Sequence, residues 1–127
     1  MAWCFTDEDD DHYARAVLRA LDADAKAVVP GNWPYEVANV LLVACRRERI
    51  DEPRSLQFLA MLHGLPIGPD ESATAPSGLF EVGRRFKLES YDAAYLDLAM
   101  RIGAPLATSD LGLRRAARRA RVGLFAP

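Results

Sequence analysis

Three carboxylates occupy positions from which they could do chemistry together: Glu36, Asp92 and Asp110. Asp92, Leu96 and Ala99 fall at i, i+4 and i+7, so on a helix Asp92 shares the apolar stripe that faces the core. Glu36 falls in the first turn of an earlier helix, beside its core face, and Asp110 directly follows a short apolar run. Acids at such positions are expected to face a crevice.

Carboxylates that converge within a few ångströms repel one another and raise each other's pKa unless a cation lies between them. An all-oxygen ligand set, with no histidine or cysteine pair at ligand spacing, suits Mg²⁺ or Mn²⁺ better than zinc. Such an ion would hold a phosphodiester, lower the pKa of a bound water and neutralise the leaving oxygen. Asn39, Thr108 and Ser109 are placed to support ligand or phosphate oxygens by hydrogen bonds.

Two of these acids also have an ordinary structural explanation. Asp110, or Ser109 before it, would cap the N-terminus of the next helix, and a glutamate in a first turn, such as Glu36, favours the helix dipole. For any single aspartate here, the cap is the stronger interpretation. Asp92 and Asp110 are joined by a helix-to-strand unit, however, and this pairing favours a shared site.

Helical and extended segments alternate along the chain, which predicts an α/β fold with a parallel sheet and right-handed crossovers. Strand ends and helix starts share one edge of such a sheet, so Glu36, Asp92 and Asp110 would reach the same rim. The predicted strands are 27–30, a stub within 65–69 at a sheet edge, 106–108 and 122–125. Helices are predicted after Thr6, from Pro34 to about Arg47, from Asp51 to His63, over residues 79–86, from Tyr91 onward and after Asp110.

The helix that begins after Asp51 has a predicted cap and a predicted core face. Asp51 would cap it, and Leu56, Leu59 and either Met61 or Leu62 would pack inward.

Composition limits the class of protein. The chain has 127 residues, 50% of them hydrophobic, and a net charge of −2, which fits a single domain spanning 1–127. No apolar run has the length of a membrane span, and the N-terminus is acidic at once, so a cytoplasmic protein is expected. Cys4 and Cys45 have no metal-ligand spacing and are expected to be reduced thiols.

Charge is distributed unevenly between the two ends of the chain. Residues 101–127 hold six arginines against Asp110 alone, whereas residues 1–30 hold seven acids against three bases. Arg114, Arg115 and Arg118 belong to a basic run that follows Asp110. A basic helical face is often only solvated, but beside a carboxylate site it equally suits contact with phosphates.

The segment YDAAYLDLAMRIGAPLATSDLGLRRAA resembles the carboxy-terminal signature of the PIN-domain family, and most closely that of its VapC-like toxin ribonucleases. It combines an aspartate at a helix start with a Thr-x-Asp at a strand end, and YEVANVL is similar to the family's second acidic motif. The resemblance implies a PIN-like three-layer α/β/α fold with a short central parallel sheet. It also implies metal-dependent cleavage of RNA with Glu36, Asp92 and Asp110 as ligands, a homodimer, and a cognate VapB-like antitoxin.

The sequence departs from the family pattern at its start. Family members begin with a central strand that ends in the aspartate acting as the first metal ligand, and the MAWCF segment resembles the residues immediately after that strand. The acids at 7–11 do not match the position of that ligand. The expectation is that the functional protein has residues before Met1, and that without them the chain is less stable because neighbouring strands lose backbone partners.

Two other classes of function remain open at this point. The first is a PIN-like module that binds RNA or a protein partner without cleaving. The second is a small-molecule-binding α/β module. It is disfavoured because the sequence contains no Walker-A loop and no G-x-G-x-x-G, and a hydrolase triad is disfavoured because there is no nucleophile elbow.

Overall fold

The structure, a computed structural model, describes residues 8–72 and 74–126. Its elements confirm a mixed α/β chain with a short parallel sheet, consistent with a PIN-like α/β/α fold. In chain order they are α1 (Glu8–Ala23), β1 (Ala27–Val29), α2 (Trp33–Arg46), α3 (Glu52–His63), β2 (Ile67–Pro69), α4 (Pro76–Phe86), α5 (Ser90–Ile102) and α6 (Leu111–Arg119). Among the described residues, no helix combines the length and apolar character needed to cross a membrane.

The chain divides into two compact units. One comprises the residues up to Val28 together with Asn32–Pro69, and the other comprises Val29–Gly31 together with the residues from Asp70 onward. The single domain expected from chain length stays a prediction.

The first unit is built around α2 and α3. Val37 and Leu41 of α2 and Leu62 of α3 are buried in one cluster. Pro34 lies in the first turn of α2, where its fixed φ suits a helix and its missing N–H would have no intrahelical partner. At the start of α3 the backbone amide of Arg54 donates to Asp51 Oδ1 at 2.9 Å, which confirms the predicted cap.

The two strands pair in parallel. The amide of Ala27 donates to Pro66 O at 2.9 Å and the amide of Asp70 donates to Val29 O at 2.8 Å, which fixes the register of β1 against β2. Within the described residues this sheet has two strands. Pro69 ends β2, and because proline has no N–H to donate, this strand suits a sheet edge, as predicted.

The predicted inward face of α3 is wrong in part. Leu56, Leu59 and Met61 are 58%, 40% and 43% exposed, whereas Leu62 is buried. The residues that face inward are Ser55, Phe58 and Leu62, which follow the helical spacing i, i+3, i+7. Leucines lie on both faces of this helix, so apolar periodicity alone selected a stripe displaced by one residue. The Ser55 hydroxyl is tolerated inside because it donates to Asp51 O at 3.0 Å and lies 3.3 Å from the Cys45 thiol. Cys4 lies outside the described residues, so the reduced state expected for the two cysteines stays a prediction.

The second unit is built around α4, α5 and α6. Leu96 of α5 and Ala116 and Ala117 of α6 have no solvent exposure, and Phe86 and Leu106 are buried with them. Small alanines on α6 let its backbone approach this core closely. Gly103 ends α5 with φ of +65°, a left-handed conformation that glycine adopts without steric cost.

The predicted strands 106–108 and 122–125 are each reduced to a single residue. Leu106 and Leu124 form one isolated parallel bridge, in which the amide of Leu106 donates to Gly123 O at 2.8 Å and the amide of Phe125 donates to Leu106 O at 2.9 Å. The parallel direction was predicted correctly. The length was not, because the backbone pairing of the two segments does not extend beyond this one bridge.

The close turn between α4 and α5 gives a first testable prediction. A Cβ on Gly83 would lie 2.8 Å from Leu88 O, so Gly83→Ala forces the backbone to shift. We expect a loss of about 1–3 kcal/mol in the free energy of unfolding from overpacking. This outweighs the roughly 1 kcal/mol that alanine gains over glycine inside a helix. Urea denaturation measures the difference.

Gly78→Ala is the matched control on the same helix, because a Cβ there would meet nothing within 4 Å. It should be neutral or stabilising by up to about 1 kcal/mol. Equal effects at Gly78 and Gly83 would contradict this account of the turn.

An ion-pair network joins the segment after β2 to α5 and gives a prediction on pH. Arg101 donates to Asp70 at 2.6 Å and to Asp97 at 2.9 Å, and the Asp70 side chain is only 10% exposed. The bond from Arg101, followed by the bond from the Ser72 amide, holds the pKa of the Asp70 carboxyl below its ordinary 3.8.

A carboxyl with a lowered folded-state pKa contributes stability that is complete above the unfolded-state pKa and is lost as the pH falls through the folded-state value. The stability difference between the wild type and Asp70→Asn should therefore be constant at neutral pH and shrink below about pH 4. Urea denaturation across the acid range measures it, and a difference that does not change with pH would refute the assignment.

Candidate carboxylate site

Asp92 lies in the first turn of α5 and is half-buried. Leu96 and Ala99, further along the same face, are 0% and 5% exposed, so α5 presents Asp92 at the end of its core-facing stripe as predicted. The amide of Ala93 donates to Glu89 O at 2.8 Å, which closes the first turn. The acid therefore has a fixed backbone and an environment partly withdrawn from water.

Asp110 is the N-cap of α6. Its Oδ1 accepts a hydrogen bond of 2.7 Å from the amide of Leu113, so the structural explanation offered for this residue is correct. The cap uses Oδ1, and Oδ2 remains available to a second ligand. Asp110 is exposed, and a Cβ on Gly112 would lie 3.3 Å from Oδ1, so glycine avoids a tight contact with the carboxylate at this position.

The loop before α6 is held by hydrogen bonds to Thr108. Its Oγ1 accepts from the amide of Asp110 at 3.1 Å, and its carbonyl oxygen accepts from Arg114 Nη1 at 2.9 Å. Ser109, which lies between Thr108 and Asp110 in the sequence, is half-buried. Thr108 and Arg114 therefore fix the position of Asp110, and the proposed roles of Thr108 and Ser109 toward a ligand stay predictions.

Glu36 lies in the first turn of α2, and its Oε1 accepts a 2.5 Å hydrogen bond from Asn32 Nδ2. Sequence reasoning named Asn39 as the supporting residue, and Asn39 is exposed one turn further along. It missed Asn32, although Asn32 and Glu36 are four apart and so lie on one helix face, a spacing at which polar side chains pair. The support of Asn39 for Glu36 stays a prediction.

The three predicted ligands are distributed between the two units. Asp92 and Asp110 belong to the second unit, where α5 and α6 pack on one core, and Glu36 belongs to the first. Over residues 8–72 and 74–126, no three His, Cys, Asp or Glu side chains form a group able to hold a metal ion. The three-carboxylate site stays a prediction.

The donor chemistry of the second unit suits a hard cation. Asp92 and Asp110 offer carboxylate oxygens, and Mg²⁺ commonly keeps several waters while bound through only one or two carboxylates. The roles of Asp92 and Asp110 as ligands of such an ion stay predictions.

A groove with basic walls lies next to Asp110, between the α4–α5 turn and α6. We call it the basic groove; its volume is about 510 Å³ and it is lined by Phe86–Leu88, Gly112, Arg115, Arg118 and Arg119. Arg115 and Arg118, predicted as phosphate contacts, line it, whereas Arg114 is engaged with Thr108. Arg119 belongs to the same predicted basic run, whereas Lys87 was not predicted. Lys87 is distant in sequence from the basic run, so no local signal could have found it.

The dual position of Asp110 gives a prediction that separates its cap from any ligand role. In metal-free buffer, Asp110→Ala should lower the free energy of unfolding by about 1 kcal/mol, whereas Asp110→Asn should not, because asparagine is as good an N-cap. Asp51→Ala, which removes the equivalent cap of α3, should cost a similar amount. Chemical denaturation in EDTA measures all three. An Asp110→Ala protein with the same free energy of unfolding as the wild type would show that the cap contributes nothing.

A model of the PIN domain matches residues 2–119. No curated protein matches the chain. PIN domains are generally nucleases, which supports a nuclease-type, hydrolytic activity on nucleic acid. Because the match extends over nearly all of the sequence, the chain belongs to the PIN-domain family.

Proposed function

We propose that this protein is a Mg²⁺- or Mn²⁺-dependent endoribonuclease and the toxin of a type II, VapBC-like toxin-antitoxin pair. The observation that carries the proposal is the PIN-domain match together with the positions of Asp92 and Asp110. Both acids stand at the start of a helix, and both helices pack on one core, which supports a site in which one unit provides two of the oxygen ligands.

In this proposal Asp92, Asp110 and Glu36 hold the cation, and each has a distinct support in the fold. Asp110 is aimed by its own cap, which leaves Oδ2 for the ion. Glu36 is oriented by Asn32, and Asp92 is fixed by the first turn of α5. When bound, a divalent cation lowers the pKa of a coordinated water and offsets the charge that builds on the phosphodiester.

The proposed partners follow from the VapC-like character of the 91–117 segment. We infer a homodimer and a cognate antitoxin whose basic side chain enters the acidic site and competes with the cation. An RNA substrate and an antitoxin of this kind place the protein in the cytoplasm. The support is the likeness of the sequence to that branch of the family.

A second candidate function is a PIN-like module that binds RNA or a protein without cleaving. Two observations favour it. In the part of the chain that the structure describes, no group of three potential ligands is assembled, and the capping role of Asp110 already explains its presence without catalysis. The two proposals differ in what a carboxamide substitution should do.

Cleavage of a single-stranded RNA in Mg²⁺ or Mn²⁺ distinguishes the two proposals. For a nuclease, Asp92→Asn should lower the cleavage rate roughly 100-fold or more, because even groups that only support a ligand cost 10–100-fold. Asp97→Asn is the matched control: it removes the same charge from the same helix, and Asp97 pairs with Arg101. Cleavage that Asp92→Asn leaves intact would exclude the carboxylate mechanism.

Thermal unfolding of the same proteins reports metal binding without reference to activity. Mg²⁺ or Mn²⁺ should raise Tm by mass action, because the ion binds only the native state. Asp110→Asn should abolish the rise, whereas Asp51→Asn, which alters the equivalent cap of α3, should retain it. A rise that survives in Asp110→Asn would show that the ion binds elsewhere.

A further inference from the structure

The basic groove is formed by two elements that are far apart in sequence. The turn after α4 supplies Phe86–Leu88, and one face of α6 supplies Gly112, Arg115 and Arg119, which fall at i, i+3 and i+7. Arg119 Nη2 donates to Phe86 O at 2.7 Å, so the guanidinium ties α6 to the end of α4. The groove is therefore formed by the packing of two elements within the second unit.

The charge of the groove defines the class of its occupant. Its walls carry Lys87, Arg115, Arg118 and Arg119, and among the described residues that line it none is acidic. Lys87, Arg115 and Arg118 are exposed, so their charges are available to a ligand. Guanidinium groups bind phosphate and carboxylate oxygens alike with paired donors, so the groove suits an anionic ligand.

The groove extends along the axis of α6. Its α6 wall extends from Gly112 to Arg119, a rise of about 10 Å at 1.5 Å per residue. A stacked strand rises about 3.4 Å per nucleotide, so about three nucleotides would fit. At its Gly112 end the groove adjoins the Asp110 carboxylate, since a Cβ on that glycine would lie 3.3 Å from Oδ1. A strand lying in the groove would bring its next phosphate to Asp110.

We propose that the basic groove binds the phosphodiester backbone of about three nucleotides of single-stranded RNA beside the cleaved bond, and thereby sets the register of the substrate at Asp110. This inference rests on the proposed function for the identity of the ligand as RNA. The groove contacts the backbone, so it contributes affinity without sequence preference.

RNA binding as a function of salt tests the proposal. A fluorescent single-stranded RNA oligonucleotide is titrated in EDTA with the wild type and with the triple variant Lys87→Gln, Arg115→Gln, Arg118→Gln. Arg119 is retained because of its bond to Phe86 O. Each lost phosphate contact should reduce the slope of log K against log salt by about 0.7, so the triple variant should lose about 2 and bind at least tenfold more weakly at low salt.

Two further proteins control the test. The triple variant Arg46→Gln, Arg47→Gln, Arg49→Gln removes the same charge from exposed positions at and beyond the end of α2, and it should keep the wild-type slope. The charge-preserving triple variant Lys87→Arg, Arg115→Lys, Arg118→Lys should also keep it. A groove variant with the wild-type slope, or a control with an equal loss, would overturn the proposal.

An acidic peptide is the competing occupant. A twelve-residue poly-glutamate should bind more weakly than RNA and should show no dependence on the groove residues. If it binds as tightly as RNA and loses that affinity in the groove variant, the groove is a protein-docking surface and the proposal fails.

This test and that of the proposed function can fail separately. If the groove variant binds RNA normally and the Asp92→Asn protein no longer cleaves, the proposal for the groove is refuted and the proposed nuclease function is supported. If the groove variant loses RNA binding and the wild type shows no metal-dependent cleavage, the proposal for the groove is supported. The nuclease function is then refuted, and the protein is a module that binds RNA.

Discussion

The packing of α6 on the core of its unit is the constraint on which the candidate site depends. Ala116 and Ala117 are fully buried beside Leu96, and a larger side chain at either position would push α6 away at a cost of about 1–3 kcal/mol. The starts of α5 and α6 are therefore fixed by the same core. Asp92 and Asp110 occupy those starts, so their backbone positions are determined by packing that lies one or two turns away.

Asp110 shows how a structural and a chemical role can share one side chain. The cap engages Oδ1 and restrains the carboxylate, so a ligand at Oδ2 would cost less rotamer freedom than it would at an uncapped aspartate. Thr108 strengthens the arrangement from the other side, because it accepts from the Asp110 amide and from Arg114. Capping explains Asp110 without catalysis, and it would also supply the preorganisation that a ligand role requires.

The sequence was informative where the signal was local. The cap at Asp110 and the buried position of Leu96 follow from spacing within one helix, and the structure agrees with both. It failed where two faces of a helix look alike, as for Leu56 and Leu59, because periodicity cannot choose between leucine stripes displaced by one residue. It also failed for the basic groove, since the pairing of the α4–α5 turn with α6 is decided by tertiary packing.

The electrostatic environment at the start of α6 favours anions, whereas the proposed site there would bind a cation. A divalent cation at Asp110 would face the positive end of the helix dipole and, along the same helix, Arg115 and Arg118, all of which oppose it. One carboxylate would offset this repulsion only weakly, so the proposed cation site would need Asp92 as a second ligand. A phosphodiester in the basic groove would add negative charge where the arginines now dominate. Cation and substrate would then each raise the affinity for the other, a reciprocal coupling that a complete cage of protein carboxylates would not need.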